Sequence, residues 1–350
     1  MNFKINNLTV SKDNITIIAE AGVNHNNRMD YAEDLIKKAK LSGAHIIKFQ
    51  TYKAEKLVSK SAERFWDWKG EVKKRGGQYD SYSRLDKFGF KEYKKLKKLC
   101  DKYKIEFMST PFDIDSVDML CDLGIAAFKI ASCDITNYLL IEHIAKKKLP
   151  IFLSTGASSM KEIVNAVKII KKNGCNKICI MHCTLCYPTK FEDANLGAII
   201  DIKKKFPDVI LGLSDHTLGT LVAPASVLYG VTVIEKHFTI NKKLKKSADH
   251  WLSADPNELK NLVENSKNIF LSKGVEKKIK LKCEHKTNRL ARRSIFSSKN
   301  IKLGEKLTKD NVICKRPGIH TSADKIYQLL GKKVKKNIEE DRPISLKDLI

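Results

Sequence analysis

Arginine, tryptophan and long apolar runs are all scarce in this 350-residue chain, and each scarcity removes a class of function. Only nine of the 66 basic residues are Arg, and the lysines sit in short runs such as Lys146–Lys148 and Lys203–Lys205. Proteins that read nucleic acid rely on Arg forks and aromatic platforms, and neither clusters here. The net charge of +26 therefore reads as a solvated lysine-rich surface that helps draw in anionic substrates, with no nucleic-acid partner. No apolar run reaches membrane-spanning length, so no membrane partner is expected. Residues Met1–Asn14 carry no signal-type apolar core, and a cytoplasmic location is expected. The nine cysteines are scattered, as suits a reducing compartment. Cys183 and Cys186 form a CxxC with no second half, which argues against structural zinc. No GxGxxG loop is present, which argues against an open doubly wound sheet.

What the chain does have is a repeat of short apolar runs, each followed by helix-patterned sequence. The runs are Ile15–Glu20, Ala44–Gln50, Ile105–Thr110, Ala126–Ser132, Pro150–Thr155, Lys177–Cys183, Val209–Asp215 and Val231–His237. Helices are predicted between them, for example over Met29–Leu41, Lys91–Lys102, Ile114–Leu123 and Lys161–Asn173, with Gly43, Gly124 and Gly174 as C-caps. Eight such units over residues 1–272 predict a (β/α)8 TIM barrel. Residues 273–288 read as a Lys-rich connector. Residues 289–350 read as a small β-rich module, with strand-like pieces at Ser294–Phe296 and Asn311–Cys314 and helix-like patterning over Ser322–Leu330. The second connection, from about Tyr52 to Phe90, is long and bears Phe65, Trp66, Trp68, Tyr79 and Tyr82. It is either a functional cover or packing over the barrel mouth.

In a barrel, groups at the C-terminal ends of strands meet on one face. That places Glu20, Lys48, Gln50, Thr110, Lys129, Ser132, Ser154, Ser214, His216 and His237 at one level. His216 and His237, at the ends of neighbouring parallel strands, suit a divalent metal with open positions. Asp215 reads as orienting its neighbours. Lys48 and Lys129 among hydroxyls suit a small ligand bearing phosphate and carboxylate, such as phosphoenolpyruvate. A Schiff base on one lysine is the alternative chemistry, and a basic binding protein for nucleic acid or carbohydrate the non-enzymatic one. Glu20, Asp134 and Asp249 are acid/base or hydroxyl-binding candidates. Phe112 and Tyr187 are either packing or part of the mouth. His182 is either a hydrogen-bonded core histidine or functional, and Asn24–Asn26 reads as turn chemistry.

The motifs Ile18–Asn26, Lys48–Gln50, Ser109–Asp113, Lys129–Ser132, Leu153–Gly156, His182–Thr184 with Tyr187-Pro188, Gly212–Thr217 and Glu235–Thr239 resemble the sialic acid synthase family. The tail, from Arg292–Ile295 through Lys315–Gly318 to Pro343-Ile344, resembles that family's C-terminal antifreeze-like (SAF) domain. The resemblance implies condensation of phosphoenolpyruvate with an N-acetylmannosamine-type sugar to a nine-carbon 3-deoxy-2-keto acid, with release of phosphate. It implies a divalent ion on His216 and His237, typically Mn2+, with Mg2+ or Co2+ as substitutes. It places phosphoenolpyruvate on Lys48, Thr110, Lys129, Ser132, Ser154 and Ser214, and the sugar or reacting centre near Glu20, Gln50, Tyr187 and Asp249. It also implies a domain-swapped homodimer, with Arg316 reaching the partner's sugar. Cys133, Asp134 and Leu185 depart from the family pattern on the sugar side. They point to a less polar acceptor, as in legionaminic or pseudaminic acid synthesis.

Overall fold

The computed structural model describes residues 2–66 and 76–350; Trp68 of the expected cover lies outside the described residues. The chain divides into two units, residues 1–274 and 275–350.

The first unit opens with an antiparallel hairpin, β1 (Asn2–Ile5) and β2 (Leu8–Ser11). Eight parallel strands follow: β3 (Thr16–Gly22), β4 (Ile46–Thr51), β5 (Glu106–Pro111), β6 (Phe128–Ile130), β7 (Ile151–Ser154), β8 (Ile178–Cys183), β9 (Ile210–Asp215) and β10 (Val233–His237). They close into a barrel in which β10 pairs with β3. The expected TIM barrel is therefore the fold. Helices Met29–Leu41, Phe90–Tyr103, Ile114–Asp122 and Met160–Lys172 fall where the 3.6-residue pattern predicted them. Gly43, Gly124 and Gly174 each close a helix at positive φ. The helix Pro256–Ser272 begins with a capping box in which Asp255 accepts from the Asn257 and Glu258 amides. No helix among the described residues is long and apolar enough to cross a membrane.

Strand alternation explains both the core and the site. Side chains two apart share a face, so each inward-facing column is apolar low in the barrel and polar at its top. The columns Ile18–Glu20, Ile46–Lys48–Gln50, Met108–Thr110, Phe152–Ser154 and Val233–Glu235–His237 all follow this rule. The lower members pack with Phe3, Ile5 and Val10 of the hairpin in one apolar cluster, with Phe3 edge-on to Phe152 at 5.8 Å. The hairpin thus stoppers the N-terminal end of the barrel. The outward faces pack on the helices in the larger core.

In the second unit, β11 (Ser294–Ser297) and β12 (Val312–Lys315) pair antiparallel over a core of Ile295, Ile301, Leu307, Leu329, Val334 and Ile344. Helix His285–Ala291 crosses the end of the segment expected as a connector.

Truncating the stopper should be costly. Phe3→Ala removes a buried ring and leaves a cavity, so unfolding free energy should fall by about 3 kcal/mol. A urea midpoint shifted down at unchanged m would show this, and an unmoved midpoint would mean that the barrel bottom seals without the hairpin.

Candidate active site

The polar tops of the strands surround a cavity of about 190 Å³. Its foot is a buried charge cluster. Lys48 Nζ lies 2.7 Å from Glu20 Oε2 and 3.6 Å from Glu235 Oε1. Lys129 Nζ lies 2.7 Å from the same Glu235 oxygen. Lys48 also donates to Thr110 Oγ1 (3.0 Å), and Ser214 Oγ donates to Glu235 Oε1 (3.0 Å). Gln50 Nε2 donates to Glu20 Oε1 at 3.1 Å. Strand register aligns His237 with Glu20 and Glu20 with Lys48, so these groups form a row across three strands. A bulge at Gly22 (φ +50°) ends that row beside the Glu20 and Gln50 side chains.

The two carboxylates are driven apart. Burial would raise both, but Lys129 and Lys48 overcome it at Glu235 and hold that group down at about 2. At Glu20 burial prevails, helped by the Glu235 charge and opposed by Lys48, and its pKa is raised. Burial pulls the Lys48 ammonium down, yet Glu20 and Glu235 outweigh it and hold its pKa above the usual value. Glu235 is thus a fixed anion, while Glu20 is the carboxyl poised to exchange a proton.

Above the foot, His216 and His237 stand with ring centroids 5.4 Å apart, and the Tyr187 ring lies 4.2 Å from His216. His216 Nδ1 donates to the Thr184 carbonyl at 2.9 Å, which leaves Nε2 with its lone pair. His237 Nδ1 is buried with no hydrogen-bond partner and lies 3.7 Å from Asp249 Oδ2. Burial, and then His216, push the His237 pKa well down, so its imidazole is neutral, the form that binds metal. Two imidazoles beside a carboxylate fit a divalent ion of borderline softness. Among the described residues no three His, Cys, Asp or Glu side chains form a ready cage, so substrate or water oxygens would complete the shell.

Behind the histidines, Lys236 Nζ lies 2.7 Å from Asp215 Oδ2 and also donates to the Thr217 carbonyl. Asp215 Oδ1 accepts from the Thr217 amide at 3.0 Å. Asp215 therefore holds the backbone just past His216, as an orienting residue would.

The cavity lining gathers Glu20, Lys48, Gln50, Thr110, Phe112, Lys129, Ser132, Ser154, Tyr187, Ser214, His216, His237 and Asp249. Ser132 Oγ accepts from the Gly156 amide at 2.9 Å, and Ser154 Oγ is buried without a partner. Asp134 is different. Its carboxylate faces Asn137 Nδ2 (3.3 Å) and Cys133 Sγ (3.7 Å), and Cys133, not Asp134, lines the cavity. Arg316 lies exposed on the second unit, its Nε donating to the Ala291 carbonyl at 2.9 Å. His182 Nε2 donates to the Ala194 carbonyl at 2.9 Å, the core role. Sequence reasoning set Glu235 beside the histidine pair without giving it a role, although it precedes His237 by two and so must share its face. Trp66 and Tyr82, from the long second connection expected over the mouth, do line it, and Leu85 and Trp251, which sequence reasoning did not single out, join them.

A closed parallel barrel with this constellation at its C-terminal face has the architecture of a barrel enzyme. Residues 35–278 match the NeuB family and residues 292–350 match the SAF domain. The chain belongs to the NeuB family of synthases and ends in a SAF domain. A protein of Methanocaldococcus jannaschii is 42% identical over 348 residues, covering 99% of this chain and 98% of that one. The N,N'-diacetyllegionaminic acid synthase of Campylobacter jejuni is 39% identical, covering 94% of this chain and 98% of its own. Among solved structures, the N-acetylneuraminic acid synthetase of Leptospira borgpetersenii superposes with a TM-score of 0.72 at 34% identity. That match covers 82% of this chain and 95% of the other.

Two buried histidines near this site make the fold acid-sensitive. Burial lowers His25 to about 3 and His250 to about 4, from an ordinary 6.5. Unfolded imidazoles bind protons that the folded ones refuse, so their contribution is full above pH 6.5 and is lost as pH falls toward 4. His250 should account for on the order of 3 kcal/mol of that loss. Urea titrations at stepped pH should show a shallower decline for His250→Gln than for wild type. Equal slopes would remove His250 as a source.

Proposed function

We propose that the barrel condenses phosphoenolpyruvate with the open-chain aldehyde of an acetamido hexose. In this reaction C3 of the enolpyruvate bonds to the aldehyde carbon, water adds at C2 and phosphate leaves from C2. The product is a nine-carbon nonulosonic acid. The single observation that carries this reading is the foot of the cavity, where Lys48 and Lys129 stand buried among Thr110, Ser132, Ser154 and Ser214. Two ammoniums and four hydroxyls match a ligand with carboxylate and phosphate groups. Glu20, with its raised pKa, takes the proton of the attacking water, and Glu235 remains ionised to hold both lysines. Tyr187 stays a neutral phenol, because burial raises its pKa well above the ordinary value, and donates to the acceptor side. A divalent ion on His216 and His237, which we take as Mn2+, would supply Lewis-acid polarisation of the aldehyde.

For the acceptor, the N-acetylmannosamine type is the general reading, and Leu185 favours a narrower one. Leu185 lines the cavity, its Cβ 3.1 Å from where a Cβ on Gly156 would stand, and it offers no hydrogen bond. An apolar wall there suits a deoxy sugar better than a hydroxyl. Together with the similarity to the Campylobacter jejuni synthase, this supports a diacetamido-trideoxyhexose, the acceptor for a legionaminic-type acid.

Phosphate release from phosphoenolpyruvate should require both Mn2+ and acceptor, and should stop with chelator and return on adding metal. Release should be fastest with a diacetamido-trideoxyhexose and slower with N-acetylmannosamine. Lys129→Met should raise the phosphoenolpyruvate KM by about 100-fold, the loss of one buried charged contact. Chelator-insensitive turnover with borohydride trapping would replace this mechanism with Schiff-base chemistry.

A further inference from the structure

The segment after β10, residues 239–253, walls the cavity with Lys246, Ser247, Asp249 and Trp251, yet it is built of turns and bends. Its ends are pinned where the Thr239 amide meets the Ala254 carbonyl (2.9 Å) and the Ala254 amide meets the His237 carbonyl (2.7 Å). Its middle is held by a turn more than 200 residues earlier in the chain. Asn26 Nδ2 donates to the Lys245 carbonyl at 3.0 Å. Asn26 Oδ1 accepts from the Ser247 amide at 3.3 Å and faces His250 Nε2 at 3.2 Å. Because Oδ1 can only accept, the neutral His250 presents Nε2–H to it, leaving Nδ1 to face Thr239 Oγ1 at 2.8 Å. Beside it, Asn24 Nδ2 donates to the Phe238 carbonyl (2.9 Å) and to Ser253 Oγ (3.2 Å). Ser253 Oγ in turn donates to the Asp249 carbonyl at 2.6 Å.

These groups are buried, with Asn24, Asn26, Ser247, His250 and Ser253 at most 5% exposed. Asn26 has φ +51°, the left-handed region that asparagine tolerates, and this conformation aims its amide across to the segment. A turn that served only its own chain reversal would not need both atoms of that amide spent on residues 245–250.

We propose that Asn26, assisted by Asn24, is a positioning residue for acceptor recognition. It sets the height of the 245–253 segment, and so of the Asp249 carboxylate beside His237, while touching no substrate itself. The inference rests on the synthase reading above, since it assigns the Asp249 wall to the acceptor and the lysine foot to phosphoenolpyruvate. A cut at Asn26 therefore loosens one substrate and spares the other. The same turn also reaches the second connection, through Asn27 Nδ2 to the Arg84 carbonyl (2.7 Å) and His25 stacked on Phe88 (4.2 Å). The side-chain hydrogen bonds of Asn24 and Asn26, by contrast, go only to residues 238–253.

Asn26→Gly deletes the amide while accepting positive φ, so it tests the contacts without adding strain. We expect the acceptor KM to rise about tenfold, the loss of one to two buried hydrogen bonds, with the phosphoenolpyruvate KM within about twofold of wild type. Amide exchange over residues 240–254 should speed up by about tenfold while the β3–β10 strands keep their protection. His250→Gln, whose amide can still donate to Asn26, should show a smaller shift in both measurements. Unchanged exchange over 240–254 would overturn the proposal. So would a uniform fall of kcat and both affinities together with the melting temperature. Should wild type turn over no acceptor, the synthase reading fails, and the exchange result still decides whether Asn26 holds the segment.

Discussion

Two lysines and two glutamates, all but sealed from water, share the foot of the cavity in a closed barrel. At an effective dielectric near 20, an ion pair at 2.7 Å gains on the order of 6 kcal/mol. Desolvation costs several kcal/mol for each ion. The terms offset, so the cluster adds little to stability and dictates much else. Glu235 must sit between the lysines, or the Lys129 ammonium would be buried unpaired and Lys48 left to Glu20 alone. The apolar layers beneath must be dry to keep the pairs strong. On the proposed reading, an incoming dianion would therefore meet charges already desolvated and aimed.

Much of this was legible in the sequence because a parallel barrel writes its site in a fixed grammar. Eight apolar runs ending in polar residues imply one polar face, and the structure brings Lys48, Lys129, His216 and His237 together on it. The same grammar contains Glu235, two residues before His237 and so on the same face of its strand. The hairpin β1–β2 escaped for a different reason. Its strands are four residues each, and Phe3, Ile5 and Val10 alternate too briefly to stand out from a loop. Position alone puts Asp134 at the site, but a 3-10 turn over Ser132–Asp134 turns its carboxylate to Asn137 and leaves Cys133 on the cavity. The Asn24–Asn26 turn was legible as a turn and not as a clamp, since its partners lie 214 to 229 residues away and no local pattern encodes them.

The histidine pair depends on a second ion pair facing the other way. Lys236 and Asp215 point out of the barrel into the helix layer, each about 2% exposed. They alternate with His237 and His216, so each strand sends one residue inward to the cavity and the next outward to its neighbour. The outward pair ties the two strand ends at a fixed spacing. A metal held by only two protein imidazoles would have few internal constraints of its own, and this spacing would supply one from behind.

The hairpin stopper gives the barrel one door. Whatever anion reaches the two lysines must travel the full depth of the cavity, past Trp66, Tyr82 and Trp251 at the threshold. Anything bound at that threshold bars the way behind it. On the proposed synthase reading, such a cavity would fill as a stack rather than a tunnel: the deep ligand first, the wide one second, with nothing leaving the bottom until the top has cleared.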